Sequence, residues 1–92
     1  MTEVTFAEFE AAALARGFDA VLVREWAPGT VVEPHTHAFA ADALVVQGEM
    51  WLTVDGTTRH LKTGDRFTLD REIAHSERYG SEGATYWVAR RS

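Results

Sequence analysis

The chain of 92 residues is long enough for one compact domain and too short for two, and its 46% apolar and 25% charged residues are typical of a folded globular protein. A formal net charge of -5, with Arg90-Arg91 as the one basic pair, argues against nucleic-acid binding, because clustered Lys and Arg supply most of that affinity. The absence of cysteine excludes disulfides and thiolate chemistry, so any metal ion would need nitrogen or oxygen ligands.

The first predicted element is a short helix. Thr5 and Glu8 fit a capping box, in which the two side chains satisfy free backbone amides at a helix start, and Gly17 predicts the stop. We therefore expect an N-terminal helical segment, residues 1–18, and a β-barrel segment, residues 19–92, within one structural domain. The first segment lacks both a basic leader and a continuous apolar core, so it predicts neither a signal peptide nor a membrane span, and a cytoplasmic location is expected.

The remainder of the chain has the pattern of β-strands. The segment FDAVLVREW alternates between apolar and polar residues and is rich in β-branched side chains. Turn-forming residues then recur at Pro28-Gly29, Gly48, Asp55-Gly56, Gly64-Asp65 and Gly80. This spacing predicts about eight short strands and therefore an all-β sandwich or barrel.

The clearest local prediction is a hairpin in the segment EMWLTVDGTTRHL. Asp55-Gly56 suits a two-residue type I′ loop, which pairs Trp51 with His60 and Val54 with Thr57. The aliphatic side chains of both strands then share one face. We expect His60 on the opposite face as a surface or hydrogen-bonded residue, with a role beside a metal ion as the alternative.

Three histidines form the candidate site. His35 and His37, in the stretch EPHTHAFAAD, point the same way if the strand is extended, and His75 follows 38 residues after His37, where a barrel can fold it alongside. Three imidazoles could hold one divalent transition metal, either Fe, Zn, Ni or Cu, and leave coordination positions open. The alternative is a pair of histidines on a solvated strand that bind nothing.

Other residues near this site can be placed only by alternation. Phe39 and Ala41 continue the register of the paired histidines and would line a cavity beside the metal. Glu77, two residues beyond His75, could act as a general base, support a ligand or be a solvated charge at the rim, and the last is favoured. Asp42 should face the other side of its strand, unless a bulge turns it toward the metal. No catalytic group is assigned.

Taken together, these residues resemble the cupin superfamily, whose two motifs read G-x5-H-x-H-x3-E-x6-G and G-x5-P-x-G-x2-H-x3-N. The matching positions are Gly29, His35, His37 and Gly48 in the first motif and Gly64 and His75 in the second. The resemblance extends from about Val21 to Val88. It departs at Ala41, where the family has its Glu ligand, and the Pro, Gly and Asn of the second motif are replaced by Asp70, Glu72 and Tyr79.

The resemblance implies a cupin-type β-barrel, also described as a double-stranded β-helix or jelly roll, with a short N-terminal helix. It implies a three-histidine metal site, possible dioxygenase, isomerase or lyase chemistry, and a small polar or anionic substrate, because three neutral imidazoles leave the ion's charge uncompensated. The alternative is a non-catalytic small-molecule binding or sensing domain, with or without metal, so enzyme activity is left open. A homodimer is expected, and neither nucleic acid nor a membrane is expected as a partner.

Overall fold

The computed structural model describes residues 4–92, and residues 1–3, which belong to the predicted helical segment 1–18, lie outside the described part of the chain. The described residues form one helix and six strands: α1 (Phe6–Ala15), β1 (Ala20–Trp26), β2 (Val31–His35), β3 (Ala40–Val54), β4 (Thr57–Lys62), β5 (Arg66–Leu69) and β6 (His75–Arg91). The expected all-β class with a short N-terminal helix is therefore confirmed. Among residues 4–92, no helix has the length and apolar character needed to cross a membrane.

Helix α1 begins as the capping-box pattern predicts. Thr5 Oγ1 accepts a hydrogen bond from the Glu8 amide (3.1 Å), and the Glu8 carboxylate accepts one from the Thr5 amide (2.9 Å). Gly17 follows the C-cap residue Arg16 with a φ angle of 92°, a conformation that glycine adopts without steric cost. Both ends of the helix thus lie where the sequence places them.

Strands β3 and β6 are much longer than predicted, with 15 and 17 residues. The prediction of about eight strands is therefore wrong for the described chain. Gly48 and Gly80 were expected to end strands, yet both lie inside one. Gly48 has a φ angle of 75° beside a shift in the β3–β6 register, and a Cβ atom there would collide with the backbone of Gly83. The glycine bends the strand without ending it.

The two long strands pair with each other and divide the sheet into two halves. In the first half β6 also pairs with β1 and β3 with β5, and in the second half β6 pairs with β2 and β3 with β4, all antiparallel. The β3–β6 register shifts between Val45 and Gln47 and again between Gly48 and Met50, at the boundary between the halves. The sheet bends there into a small β-barrel of jelly-roll type.

The apolar core contains side chains from both halves of the sheet. Val45 belongs to the first half of the sheet, whereas Met50 and Leu61 belong to the second half. All three side chains are almost fully buried. The predicted Asp55-Gly56 hairpin forms with the expected register, and both of its loop residues have positive φ angles. Its aliphatic face supplies part of this core.

Helix α1 packs on the outside of the first half of the sheet. Phe9 and Ala13 are buried against Ala89 of β6. At the end of the helix, Arg16 Nη1 donates a hydrogen bond to Asp42 Oδ2 at 3.0 Å. Asp42, considered above as a possible neighbour of a metal ion, therefore faces the helix, on the side of β3 that simple alternation favours.

Candidate metal centre

The structure brings His35, His37 and His75 together, and we call these residues the histidine cluster. His35 ends β2 and His75 begins β6, and the two are partners across the strands, with ring centroids 4.3 Å apart. The His37 ring lies 4.7 Å from that of His35 and 4.9 Å from that of His75. One potential ligand atom from each residue lies within 4.8 Å of the other two. The cluster thus has the dimensions of a site for one metal ion.

The route by which His37 reaches the cluster differs from the expected one. Strand β2 ends at His35, and residues 36–39 form a bend before β3 begins at Ala40, so the two histidines do not share a continuous strand. The Phe39 ring stacks on the His37 ring at 4.7 Å with an interplanar angle of 14°. The His37 ring therefore reaches the others from the segment between β2 and β3, with Phe39 packed against it.

Two of the imidazole rings are fixed by hydrogen bonds to the backbone. His35 Nδ1 lies 2.8 Å from the Glu33 carbonyl oxygen, and His75 Nδ1 lies 2.9 Å from the Ile73 carbonyl oxygen. A carbonyl only accepts, so each Nδ1 carries the proton and each Nε2 of the neutral ring keeps a free lone pair. Metal-ligating histidines are commonly oriented in this way.

The third ring is kept neutral by its surroundings. Burial lowers the pKa of His37, and the nearby rings of His75 and His35 lower it further. A lower pKa means that the imidazole loses its proton at a lower pH than an exposed histidine does. His37 therefore offers a lone pair at neutral pH.

Glu77 lies beside the cluster and is buried, with 7% of its surface exposed. Its Oε2 atom is 3.5 Å from His75 Nε2 and 3.6 Å from His35 Nε2. Its Oε1 atom accepts a hydrogen bond from the Tyr79 hydroxyl at 2.5 Å. The prediction of a solvated rim charge is wrong, because the carboxylate is enclosed with the imidazoles.

Tyr79 is itself fixed in the core. It is 1% exposed, and its ring stacks on Trp26 with centroids 5.0 Å apart. Burial raises the pKa of Tyr79, so its hydroxyl keeps its proton at neutral pH and donates to Glu77. Alternation along β6 turns His75, Glu77 and Tyr79 toward the interior together. Sequence alternation could have grouped Tyr79 with this site, although it could not reveal how deeply the three residues are buried.

A narrow cavity adjoins the histidine cluster and Glu77. Phe39 and Ala41 lie in its wall, as their predicted register suggests, together with buried aromatic side chains of the core. Two cationic side chains, Arg24 and Arg90, also line it. The Arg90 guanidinium carbon lies 4.6 Å from the centre of the Phe39 ring. Sequence reasoning did not identify these arginines, because Arg24 comes from β1 and Arg90 lies at the opposite end of β6 from His75.

His60 lies on the outer face of the hairpin, as its predicted register requires. Its Nε2 atom is 2.6 Å from Glu49 Oε1, and its ring stacks on Trp51 at 4.6 Å. The Arg78 guanidinium carbon lies 4.1 Å from the centre of the Trp51 ring. The structure therefore places His60 in a separate surface group and not beside the histidine cluster.

Comparison with known families agrees with this fold. Residues 22–89 match the family model described as the cupin domain, which is most of the chain. The chain therefore belongs to the cupin domain family. A comparison with curated proteins gives no significant match.

Solved structures similar to this one come from proteins of different kinds. The Schizosaccharomyces pombe Cnp3 cupin domain has a TM-score of 0.74 and 20% identity, covering 83% of this chain and 54% of that one. A chain from the structures of the DMSP lyases RdDddP and RnDddQII has a TM-score of 0.72 and 20% identity, covering 78% of this chain and 37% of that one. A protein of unknown function from Rhizobium leguminosarum bv. viciae 3841 has a TM-score of 0.71 and 20% identity, covering 99% and 96%.

These similarities establish the fold. This chain spans about half the length of the Cnp3 chain and a smaller share of the lyase chain. The activities of those whole proteins therefore do not transfer by similarity, and function has to be argued from the site itself.

Proposed function

We propose that this protein is a metal-dependent cupin that holds one divalent transition metal through His35, His37 and His75. The convergence of the three imidazoles is the observation that supports this proposal most directly. A donor set of imidazole nitrogens suits Fe, Zn, Ni or Cu. A metal ion bound there would supply Lewis-acid polarisation of a substrate oxygen, or activation of water or dioxygen.

The cavity residues support a small polar or anionic substrate. Arg24 and Arg90 bring two permanent positive charges to the cavity that adjoins the histidine cluster. A guanidinium can bind a carboxylate through two parallel hydrogen bonds, which fixes its orientation as well as its position. Phe39 and Ala41 form an apolar part of the wall and limit the water beside the bound molecule. We infer that the arginines orient an anionic group while the reacting part faces the histidines.

The reaction is proposed as a dioxygenase, isomerase or lyase reaction. Lyase chemistry is included because the fold of this chain is similar to that of a chain from the DMSP lyase structures. A non-catalytic binding or sensing domain would use the same cavity without turnover. The two functions differ in whether a bound molecule is converted.

Metal content provides the first test of the proposal. Protein produced without added metal, and purified without an immobilised-metal column, is expected to contain close to one equivalent of a transition metal by mass spectrometry. His60→Ala protein prepared in parallel should contain the same amount, because His60 lies on the outer face. A protein that is empty and cannot be reconstituted with Fe, Zn, Ni or Cu would contradict the proposal.

Arg90 provides a test of the substrate class. A panel of small thiols, diketones and hydroxy acids is screened for oxygen uptake and, by NMR, for conversion of the compound. For an anionic substrate we expect Arg90→Gln to raise KM by roughly 10- to 100-fold with unchanged metal content, since hydrogen bonds to charged groups contribute about 1.5–3 kcal/mol. Arg91→Gln is the matched control, because Arg91 is exposed and does not line the cavity.

The same panel distinguishes an enzyme from a sensor. Conversion of a compound supports the enzyme. Saturable binding of an anion that is never converted would instead assign the domain to small-molecule binding or sensing. An equal rise in KM for both arginine variants would show that overall charge, and not a contact in the cavity, determines binding.

A further inference from the structure

Glu77 is a buried carboxylate that the family motif does not account for. The cupin motif has its carboxylate at the position of Ala41, which here carries only a methyl group. We propose that Glu77 is the fourth protein ligand of the metal and replaces that carboxylate from a different strand. This inference rests on the proposed metal site and adds to it.

The orientation of the histidine rings is the first argument. In His35 and His75 the Nδ1 atom faces a backbone carbonyl, so Nε2 is the ring nitrogen left to bind another group. Glu77 Oε2 faces both of these Nε2 atoms. One cation among the three atoms could therefore be bound by all of them.

The distances favour a metal ion over a shared proton. Glu77 Oε2 lies 3.5 and 3.6 Å from the two Nε2 atoms. A direct N–H···O hydrogen bond spans about 2.7–3.2 Å, so these separations are too long for one. Two ligands of one tetrahedral ion with bonds of about 2.0–2.1 Å are about 3.3–3.4 Å apart, which is close to the spacing of Glu77 Oε2 from His35 and His75.

The Tyr79 hydroxyl explains how the carboxylate is oriented. It donates to Glu77 Oε1, which leaves Oε2 as the atom turned toward the imidazoles. Tyr79 is held by its stacking on Trp26 and by almost complete burial. Metal-ligating carboxylates are themselves commonly hydrogen-bonded, and loss of such a partner typically lowers metal affinity by about 10- to 100-fold. Tyr79 is thus a positioning residue for the proposed ligand.

The strand geometry explains why the position of Ala41 can do without a carboxylate. Ala41 lies on β3 in the first half of the sheet, whereas Glu77 lies on β6 in the second half, two residues beyond His75. Both residues border the same cavity. The carboxylate therefore reaches the cluster from the strand that already supplies His75, and the space beside Ala41 stays open to a bound molecule.

A competition titration tests the inference. Metal-free wild-type, Glu77→Gln and Glu33→Gln proteins are titrated with Zn²⁺ against a chromophoric chelator at one fixed pH. Glu77→Gln is expected to weaken binding by roughly 10- to 100-fold or more. Glu33→Gln removes the same charge from an exposed position near His35 and is expected to change affinity less than about threefold, because exposed charges are screened.

A spectroscopic measurement accompanies the titration. The visible absorption bands of bound Co²⁺ should shift in Glu77→Gln relative to the wild type, and remain unchanged in Glu33→Gln. Tyr79→Phe keeps the carboxylate and loses only the hydroxyl, so its Zn²⁺ affinity should lie between those of the wild type and Glu77→Gln. This variant also provides the test if Glu77→Gln does not fold.

The outcomes separate this inference from the proposed function. Tight binding by the wild type with no loss in Glu77→Gln would overturn the assignment of Glu77 and leave the three-histidine site intact. Equal losses in Glu77→Gln and Glu33→Gln would overturn it as well, because they would indicate a general charge effect. A wild-type protein that binds none of the metals tested would overturn the proposed function instead.

Discussion

Replacement of His75 by alanine is expected to lower metal affinity by roughly 100-fold or more. Four-ligand zinc sites bind with about 10–16 kcal/mol, so each ligand contributes on the order of 3 kcal/mol. His75 is 3% exposed, and its ring is oriented by the hydrogen bond between Nδ1 and the Ile73 carbonyl, so the variant loses a ligand that the fold holds in place. Isothermal titration of metal-free protein with Zn²⁺ measures the loss directly.

His60→Ala is the matched control for this variant. It removes an imidazole of the same type from the outer face, where the ring contacts Glu49 and Trp51. Its Zn²⁺ affinity should equal that of the wild type. If His60→Ala empties the site while His75→Ala does not, the histidine cluster is not the metal centre.

Met50→Ala is expected to cause a large loss of stability. Met50 is 0% exposed, and its cross-strand partners are Leu61 on β4 and Tyr79 on β6. Truncation of a buried methionine costs about 2–5 kcal/mol, because apolar contacts are lost and a cavity remains. The free energy of unfolding of such a domain is about 5–15 kcal/mol, so a large fraction of it would be lost. Thermal unfolding followed by circular dichroism should show a midpoint lower by on the order of 10–30 °C.

Met50→Leu is the control, because it keeps the apolar volume nearly constant. It should cost less than about 1.5 kcal/mol. Similar losses in Met50→Ala and Met50→Leu would show that the thioether, and not the filled volume, stabilises this part of the core.

Local chemistry explains which parts of the fold the sequence predicts correctly. The capping box at Thr5 and Glu8 and the loop at Asp55-Gly56 each depend on residues only a few positions apart. Their backbone preferences act before any long-range contact forms. The helix boundaries and the hairpin register follow from them without knowledge of the rest of the molecule.

Long-range pairing explains where prediction from the sequence is wrong. Glycine is a typical turn residue, so Gly48 was expected to end a strand. Because β3 pairs with β6 on both sides of Gly48, the chain only bends there, within the strand. The same limit applies to Glu77. Alternation correctly turns its side chain toward the histidines, but its burial also depends on Tyr79 and Trp26, and Trp26 comes from β1.

The candidate site contains some features that the sequence predicts and others that it does not. The spacing of His35 and His37 and the position of His75 identify residues that the barrel does bring together. The bend at residues 36–39 and the stacking of Phe39 on His37 could not be anticipated, because they depend on where β2 stops pairing with β6. Motif spacing therefore predicts which residues meet, whereas the chemistry of the surrounding groups needs the three-dimensional structure.

The partners of β6 have a consequence for when the proposed metal site can form during synthesis. Strands β1 and β2 pair with β6, so before residues 75–91 leave the ribosome the described strands can pair only as β3 with β4 and with β5. At about 5–20 residues per second, His75 is added roughly 2–8 s after His35. A growing chain thus presents two imidazoles without the third, so we expect the cell to load the ion into the finished barrel and not into the nascent polypeptide.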